Sequence, residues 1–404
     1  MNKSTFFTGQ PILNQLLNFL NKQEIKRAVQ ESNSDYYYKK FDTWHHLVTM
    51  LYAIYQHCTS LREVTTGMQA CEGRLQSLGI KHFVRRSTLS DANAHRDSAI
   101  FEKIFYMTYQ RLQPFLPDSP LRGSVFKKLV IIDSTTISLF QEILKCAGRQ
   151  PPNGKRKGGV KIHMAVKATE DVPSLVMISS GASSDNNFLS KLKCNPGSYI
   201  VFDKGYNNYR QFQKWNEEKV YWITRLRNNT VVTELKSKLL SESEKNAGVI
   251  ADQLVIIGHK SYQIQKVKCR MITYYDTSTQ RTFKFLCNNH KIKASTIAAI
   301  YKQRWQIELL FKRMKQNLQL QYFFGDNENA IRIHIWCTLI ADLLMKVATF
   351  GIKKRWAFSN MASLIRLHLM NYTDLKGFLN NPEKTRIIHP TINPELQLNL
   401  FLSG

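Results

Sequence analysis

Between Pro11 and Leu112 the apolar residues recur at the three-to-four-residue spacing of amphipathic helices, most clearly in Pro11–Leu20, Trp44–His57 and Ser98–Leu112. Period-two alternation is almost absent there, so residues 1 to about 115 are expected to form an all-helical N-terminal domain. Pro114, Pro117, Pro120 and Gly123 then interrupt the pattern, and a domain boundary is placed among them. Inside the helical part, Arg85-Arg86 is followed by Thr88-x-x-Asp91, the spacing of a capping box, which predicts a helix start near Thr88.

After Lys127 the periodicity changes. Leu129–Ile132 is a continuous apolar run ending in Asp133, Val160–Val166 alternates, and Ser174–Ser179 is a third short strand candidate. A helical stretch near Asn187–Leu192 precedes the apolar run Tyr199–Phe202, which again ends in an aspartate, Asp203. A helix at Tyr209–Glu218 and a strand at Tyr221–Leu226 complete the order β-β-β-α-β-α-β, the pattern of a mixed sheet with helices on its faces. Further β-like runs, Gln253–Ile257, Tyr262–Val267, Arg270–Tyr275 and Thr282–Leu286, fill the long interval between Asp203 and Glu308. That interval is too long for a simple connection, and an inserted β domain at about 227–294 is expected. The chain then reads as helical to about Thr349, while the tail with Pro382, Pro390 and Pro394 is loosely patterned.

The helix around Glu308 carries unusual chemistry. Counting about 100° per residue from Glu308, Arg304 lies near −40°, Tyr301 near +20° and Lys315 near −20°, so all four share one stripe. Ile300, Ile307, Phe311 and Met314 form an apolar stripe beside it. A carboxylate framed by two cations and a phenol suits the holding of a hard cation and an anionic substrate. By spacing alone, a partly exposed helix laced with ordinary salt bridges is an equal alternative.

Charge narrows the partners. With 57 Lys and Arg against 30 Asp and Glu, the formal net charge is +27, which calls for a polyanion, nucleic acid first. The basic residues are dispersed, and the near-spanning apolar run Ile333–Ile352 contains Asp342 and Lys346, so it is read as a buried helix and no membrane partner is expected. The first twenty residues make a poor signal peptide, so a cytoplasmic location is expected. Seven cysteines with no Cys-x-x-Cys pair, and eleven histidines without ligand spacing, indicate neither a disulfide framework nor a zinc site.

The spacing Tyr-x2-Arg-x3-Glu-x6-Lys at Tyr301, Arg304, Glu308 and Lys315 resembles the signature of the insertion-sequence-four family of bacterial DDE transposases. The segments Val130-Ile131-Ile132-Asp133-Ser134-Thr135 and Tyr199-Ile200-Val201-Phe202-Asp203-Lys204-Gly205-Tyr206 match the rest of that signature in its order. The likeness runs from about Leu129 to about Ala341. It implies an α/β architecture, a ribonuclease H-like mixed sheet flanked by helices with an inserted β domain, preceded by the all-helical domain. On this division residues 120–404 are the catalytic domain, including a helical C-terminal part at about 316–404. It implies further that Asp133, Asp203 and Glu308 ligate two Mg²⁺ ions, with Mn²⁺ as substitute, and that Tyr301, Arg304 and Lys315 hold phosphates of the element's end. The substrate would be double-stranded DNA, both the terminal inverted repeats and the target, handled by a dimer at the nucleoid. In the family an aromatic side chain of the insertion holds a flipped base; Trp222, Tyr262, Tyr274 and Tyr275 are candidates, though Trp222 sits in an alternating strand, where a tryptophan is more often core.

Two more basic groups are candidate DNA contacts. Arg85, Arg86 and Arg96 mark the helix near Thr88, whose amino end suits phosphates or a major groove. Lys155, Arg156 and Lys157 lie in a Gly-rich loop that lacks P-loop order and could track a DNA backbone. The competing functions are a catalytically silent DNA-binding or repressor derivative and a ribonuclease H-like nuclease that does not transpose.

Overall fold

A computed structural model describes residues 9–80, 83–116, 124–138, 148–149, 157–181, 185–259 and 262–383. Among the described residues ten strands form one mixed sheet. In chain order they are β1 (Leu129–Ser138), β2 (Gly148–Arg149), β3 (Lys157–Lys167), β4 (Pro173–Ser180) and β5 (Tyr199–Phe202), followed by β6 (Tyr221–Arg225), β7 (Thr230–Ser237), β8 (Val249–His259), β9 (Tyr262–Asp276) and β10 (Arg281–Cys287). Their order across the sheet is β2-β3-β1-β5-β6-β10-β9-β8-β7, with β4 also on β3. β1, β5 and β6 are mutually parallel and the other pairs antiparallel. All four residues of β5 are buried, as its uninterrupted Tyr-Ile-Val-Phe run requires of a strand with neighbours on both edges and helices on its faces.

The strands after Arg225 do not stand apart as a separate β domain. β10 pairs with the free edge of β6 through Phe285↔Arg225, Leu286↔Thr224 and Cys287↔Ile223, so the inserted strands prolong the same sheet. They share its core as well: Val255, Ile257, Val267 and Cys269 pack with Ile132, Phe202, Phe212 and Trp222. The helix Tyr209–Glu217, whose first turn is capped by the Asn208 side chain accepting from Gln211 N, buries Phe212 and Trp215 on this core. Trp222 is fully buried and stacked on Phe212 at 4.4 Å, which assigns it to the core and not to a base.

By packing, residues 118–312 form one compact unit, and residues 1–117 group with 313–404 in the other. One division between the two units lies at Pro117. The helical segment beyond 316, expected with the catalytic part, instead belongs with the N-terminal helices. The reason lies in helix Glu328–Ala348, which is buried almost all round and therefore needs partners on every side. Helices Thr43–Tyr55, Arg86–His95 and Ala99–Leu112 provide them. Polar ties join the same pieces: Tyr55 Oη donates to Ala341 O at 3.0 Å, and Asn93 Nδ2 to Phe324 O at 3.1 Å. Asp342 lies inside this helix at 0% exposure, held by both Arg313 Nε and Nη2 at 2.8 and 3.0 Å. No helix among the described residues is long and apolar enough to cross a membrane.

Candidate active site

Ile132↔Phe202 is the last parallel pair between β1 and β5. Asp133 and Asp203 are the next residue after each partner of that pair, so two carboxylates stand side by side where the parallel pairing stops. β5 ends there, whereas β1 runs on to Ser138 along β3 with Asp133 opposite Met164, so Asp133 lies within its strand and not at the end its apolar run suggests. Helix Ala294–Lys302 lies over the sheet and is followed, after a turn, by helix Trp305–Asn317. From this turn Arg304 Nη1 donates to Asp133 Oδ2 at 2.7 Å while Nη2 donates to Glu308 Oε1 at 2.6 Å. Tyr301 Oη donates to Asp203 Oδ1 at 3.5 Å. Tyr301, Arg304 and Glu308 thus converge on the two aspartates, but not as one helical stripe. The N–H groups of Gln303, Arg304, Gln306 and Ile307 bond three residues back, at 3.0, 3.0, 3.0 and 3.2 Å, which tightens the chain into a turn between two helices. A count of 100° per residue does not hold across it.

Burial dominates the electrostatics. It raises the Asp133 carboxyl to about 6; Arg304 pulls it down, and the Asp203 and Glu308 charges push it further up. Burial also opposes the Arg304 charge, yet Tyr301, Asp133 and Glu308 outweigh that and hold the guanidinium above its ordinary value. Burial pushes the Tyr301 phenol up to about 12. Arg304 Nε is buried without a hydrogen-bond partner, and the guanidinium stands 5.8 and 6.0 Å from the Tyr301 and Trp305 rings.

Three carboxylates are hard oxygen donors of the kind divalent cations take. Among the described residues no group of three or more His, Cys, Asp or Glu is already gathered as a metal shell. The bridging guanidinium accounts for this, since a cation already stands between Asp133 and Glu308. At Asp203 there is room: a Cβ on Gly205 would sit 3.8 Å from Asp203 Oδ2 and 3.3 Å from Asp185 Oδ2, and glycine leaves that space open. The donor set fits divalent ions once Arg304 is drawn away.

The remaining expected residues are dispersed. Lys315 lies on the helix of Glu308, two turns on, and burial lowers its amine. Arg85 and Arg86 are exposed at the start of helix Arg86–His95, which begins two residues before Thr88; no side chain caps it, and Asp91 pairs instead with His95 Nδ1 at 2.9 Å. Arg96 is not available to DNA. At 1% exposure its guanidinium donates to Phe41 O and Asp42 O and sits 4.0 Å over the Tyr38 ring, an anchor for the preceding loop. Lys155 and Arg156 lie outside the described residues, and Lys157 begins β3 opposite Arg149. Tyr275 is exposed and Tyr274 half-buried on β9, and the Tyr262 side chain lies outside what is described.

Two features went unread in the sequence. Trp305 and Leu309, at 60% and 62% exposure, form an apolar step beside Arg304 and Glu308; two large exposed side chains one turn apart were the available signal. Lys161 and Asp185 form an ion pair close to Asp203. Nothing in their local pattern marks them, because one lies in an alternating strand and the other in a loop.

Two aspartates from adjacent parallel strands and a helix glutamate are thus gathered about one buried arginine, a carboxylate-rich site in a strongly basic chain. The chain belongs to the DDE transposase family. The transposase DDE domain matches residues 125–344, and a domain of unknown function (DUF4372) matches residues 8–81. The chain is 31% identical over 261 residues to a putative transposase, y4zB, of Sinorhizobium fredii, covering 64% of this chain and 70% of that protein. It is 25% identical over 291 residues to a putative transposase for insertion sequence element IS4SA of a Synechocystis species, covering 71% and 78%. Among solved structures it aligns with a piggyBac transposase synaptic complex with hairpin DNA at 11% identity and a TM-score of 0.47, covering 97% of this chain and 85% of that one; the likeness is too loose to place residues. The protein is an insertion-sequence transposase, a divalent-metal-dependent enzyme of DNA cleavage and strand transfer.

Proposed function

We propose that Asp133, Asp203 and Glu308 are the acids of the catalytic centre and that the substrate is the terminal inverted repeat of the element, cut and then joined to target DNA. The observation that carries this reading is the convergence of all three acids with Arg304 and Tyr301 where the parallel pairing of β1 and β5 stops. Two Mg²⁺ ions, replaceable by Mn²⁺, would be held by the three acids and supply Lewis acidity toward the attacking and leaving oxygens. Arg304 keeps the acids together in the free protein and turns its planar fork to a phosphate when DNA arrives. Tyr301 steadies Asp203, and Lys315 adds a point charge for the end's backbone.

The sheet is read as ribonuclease H-like, on the strength of its parallel β1, β5 and β6 and the placement of the acids. The helical region 1–115 is read as the part that recognises the element's end, with Arg85 and Arg86 exposed for phosphate contact. Work at the nucleoid by a dimer, one copy per end, completes the reading. All three acids are present, which favours an active enzyme over a silent DNA-binding derivative.

Cleavage of a duplex carrying the element's end, with Mg²⁺, is the test. Asp133→Ala, Asp203→Ala and Glu308→Ala should each abolish cutting while binding largely persists, because the basic surface is untouched. Normal cutting by any one of the three removes that residue from the centre.

A further inference from the structure

On the sheet face opposite Arg304 a second polar cluster surrounds Lys161 of β3. Cross-strand partners share a face, so Ser134 with His163, and Thr136 and Ser179 with Lys161, look one way while Asp133 and Met164 look the other. Lys161 Nζ is paired with Asp185 Oδ1. Ser134 Oγ donates to the same oxygen at 3.4 Å, and His163 Nδ1 stands 3.6 Å away. His163 is fully buried, stacked on Phe188 at 5.4 Å, with Tyr206 Oη 3.1 Å from Nδ1 and Ser179 Oγ 3.3 Å from Nε2. Asp185 is therefore fixed through one oxygen. Its other oxygen, Oδ2, faces Gly205, where the two distances to a built Cβ bound its separation from Asp203 Oδ2 at about 7 Å. Lys161 thus reaches the carboxyl end of β5 through Asp185, which faces Asp203 across Gly205.

We propose that Lys161 contacts a phosphate of the DNA end at the catalytic centre, with Asp185 as the positioning residue that holds its ammonium there. The assignment rests on the acids being those named above. The acids take Arg304 from one face of the sheet, and a phosphate lying across them needs a cation from the other. Lys161 is a cation placed there, and its side chain keeps 16% exposure. A surface ion pair has no reason to be built on a buried histidine and three hydroxyls; a cation that must be aimed does.

The full-length protein is titrated with a pre-cleaved duplex end over a salt series in EDTA, and cleavage is followed separately at saturating DNA with Mg²⁺. Lys161→Met should make the dependence of log K on log salt shallower by about one phosphate, roughly 0.9 in slope, and lower cleavage at least about tenfold. Lys161→Arg should keep the slope. Asp185→Asn should keep the slope while cleavage falls, because the charge remains but is no longer aimed. The double variant Lys161→Met with Asp185→Asn leaves no unpaired acid to disturb folding and should still lose the slope. Parent slope and parent cleavage in that double variant would overturn the proposal, as would equal losses for Lys161→Met and Lys161→Arg. Asp133→Ala, assayed beside them, separates the two readings: if it cuts normally the centre itself is misassigned, whereas if it is inactive and the double variant is unchanged only the role of Lys161 fails.

Discussion

Arg304→Ala should destabilise the metal-free protein and make its stability depend more steeply on divalent cations than the parent's. The guanidinium is 8% exposed and makes two short charge-assisted bonds, to Asp133 and Glu308. Removing one partner of a buried ion pair costs about 3–5 kcal/mol. Glu308 is 35% exposed, so water screens its share, and about 2–4 kcal/mol is the expected loss. For a cooperative unit of about 200 residues this corresponds to a fall in Tm of roughly 5–12 °C. The loss should also vary with pH. The Asp133 carboxyl stands at about 6 against an ordinary 3.8, so its ionised form works against the folded state above that pH and the penalty is relieved as pH falls through it. Without Arg304 that penalty grows, and the variant's deficit should be larger at pH 8 than at pH 5. Divalent ions bound at about a hundred times Kd stabilise by about 2.7 kcal/mol. The variant should gain more than the parent, in which a cation must displace the guanidinium. Thermal melts with and without Mg²⁺ at both pH values provide the measurement. Equal Tm and equal Mg²⁺ shifts in the two proteins would refute the idea that Arg304 stands in for a metal.

With the pre-cleaved end, Arg304→Ala should flatten the salt dependence of binding by roughly 0.9 and Arg304→Lys should rescue only in part, as an ammonium lacks the planar fork; gel shifts over a salt series check this. Arg85→Ala and Arg86→Ala should weaken DNA binding at unchanged Tm, while Arg96→Ala should lower Tm by several degrees, because its guanidinium is buried on the Phe41 and Asp42 carbonyls. A fragment of residues 1–115 should show weak, non-cooperative helicity by circular dichroism, since its apolar faces are completed by helix Glu328–Ala348; a sharp melt of that fragment would show the helices suffice alone.

What the sequence determined by itself is mostly local. Apolar runs followed by aspartate mark β1 and β5, because the parallel centre of the sheet is buried on both faces; β5 does end at Phe202, but β1 runs on through Asp133 to Ser138 against β3, an extension its polar residues do not announce. The helical period of residues 11–112, and the cluster of prolines after it, are equally local and equally legible. Tertiary structure decided the rest. Helix Glu328–Ala348 carries the same apolar pattern whichever unit it joins, and only packing assigns it to the N-terminal helices. Strands β7–β10 alternate like any half-buried strands, and only the pairing of β10 with β6 makes them one sheet with the core. Arg85, Arg86 and Arg96 look alike in a row of letters, but burial separates two free cations from an anchor. The tightened turn at Gln303–Arg304 replaced a helical stripe with a bridge between acids from distant parts of the chain. Lys161 and Asp185 carry no pattern at all, because their meeting is set by the cross-strand register of β1 and β3 and by the placement of Asp185 against Gly205, distances that no local spacing encodes.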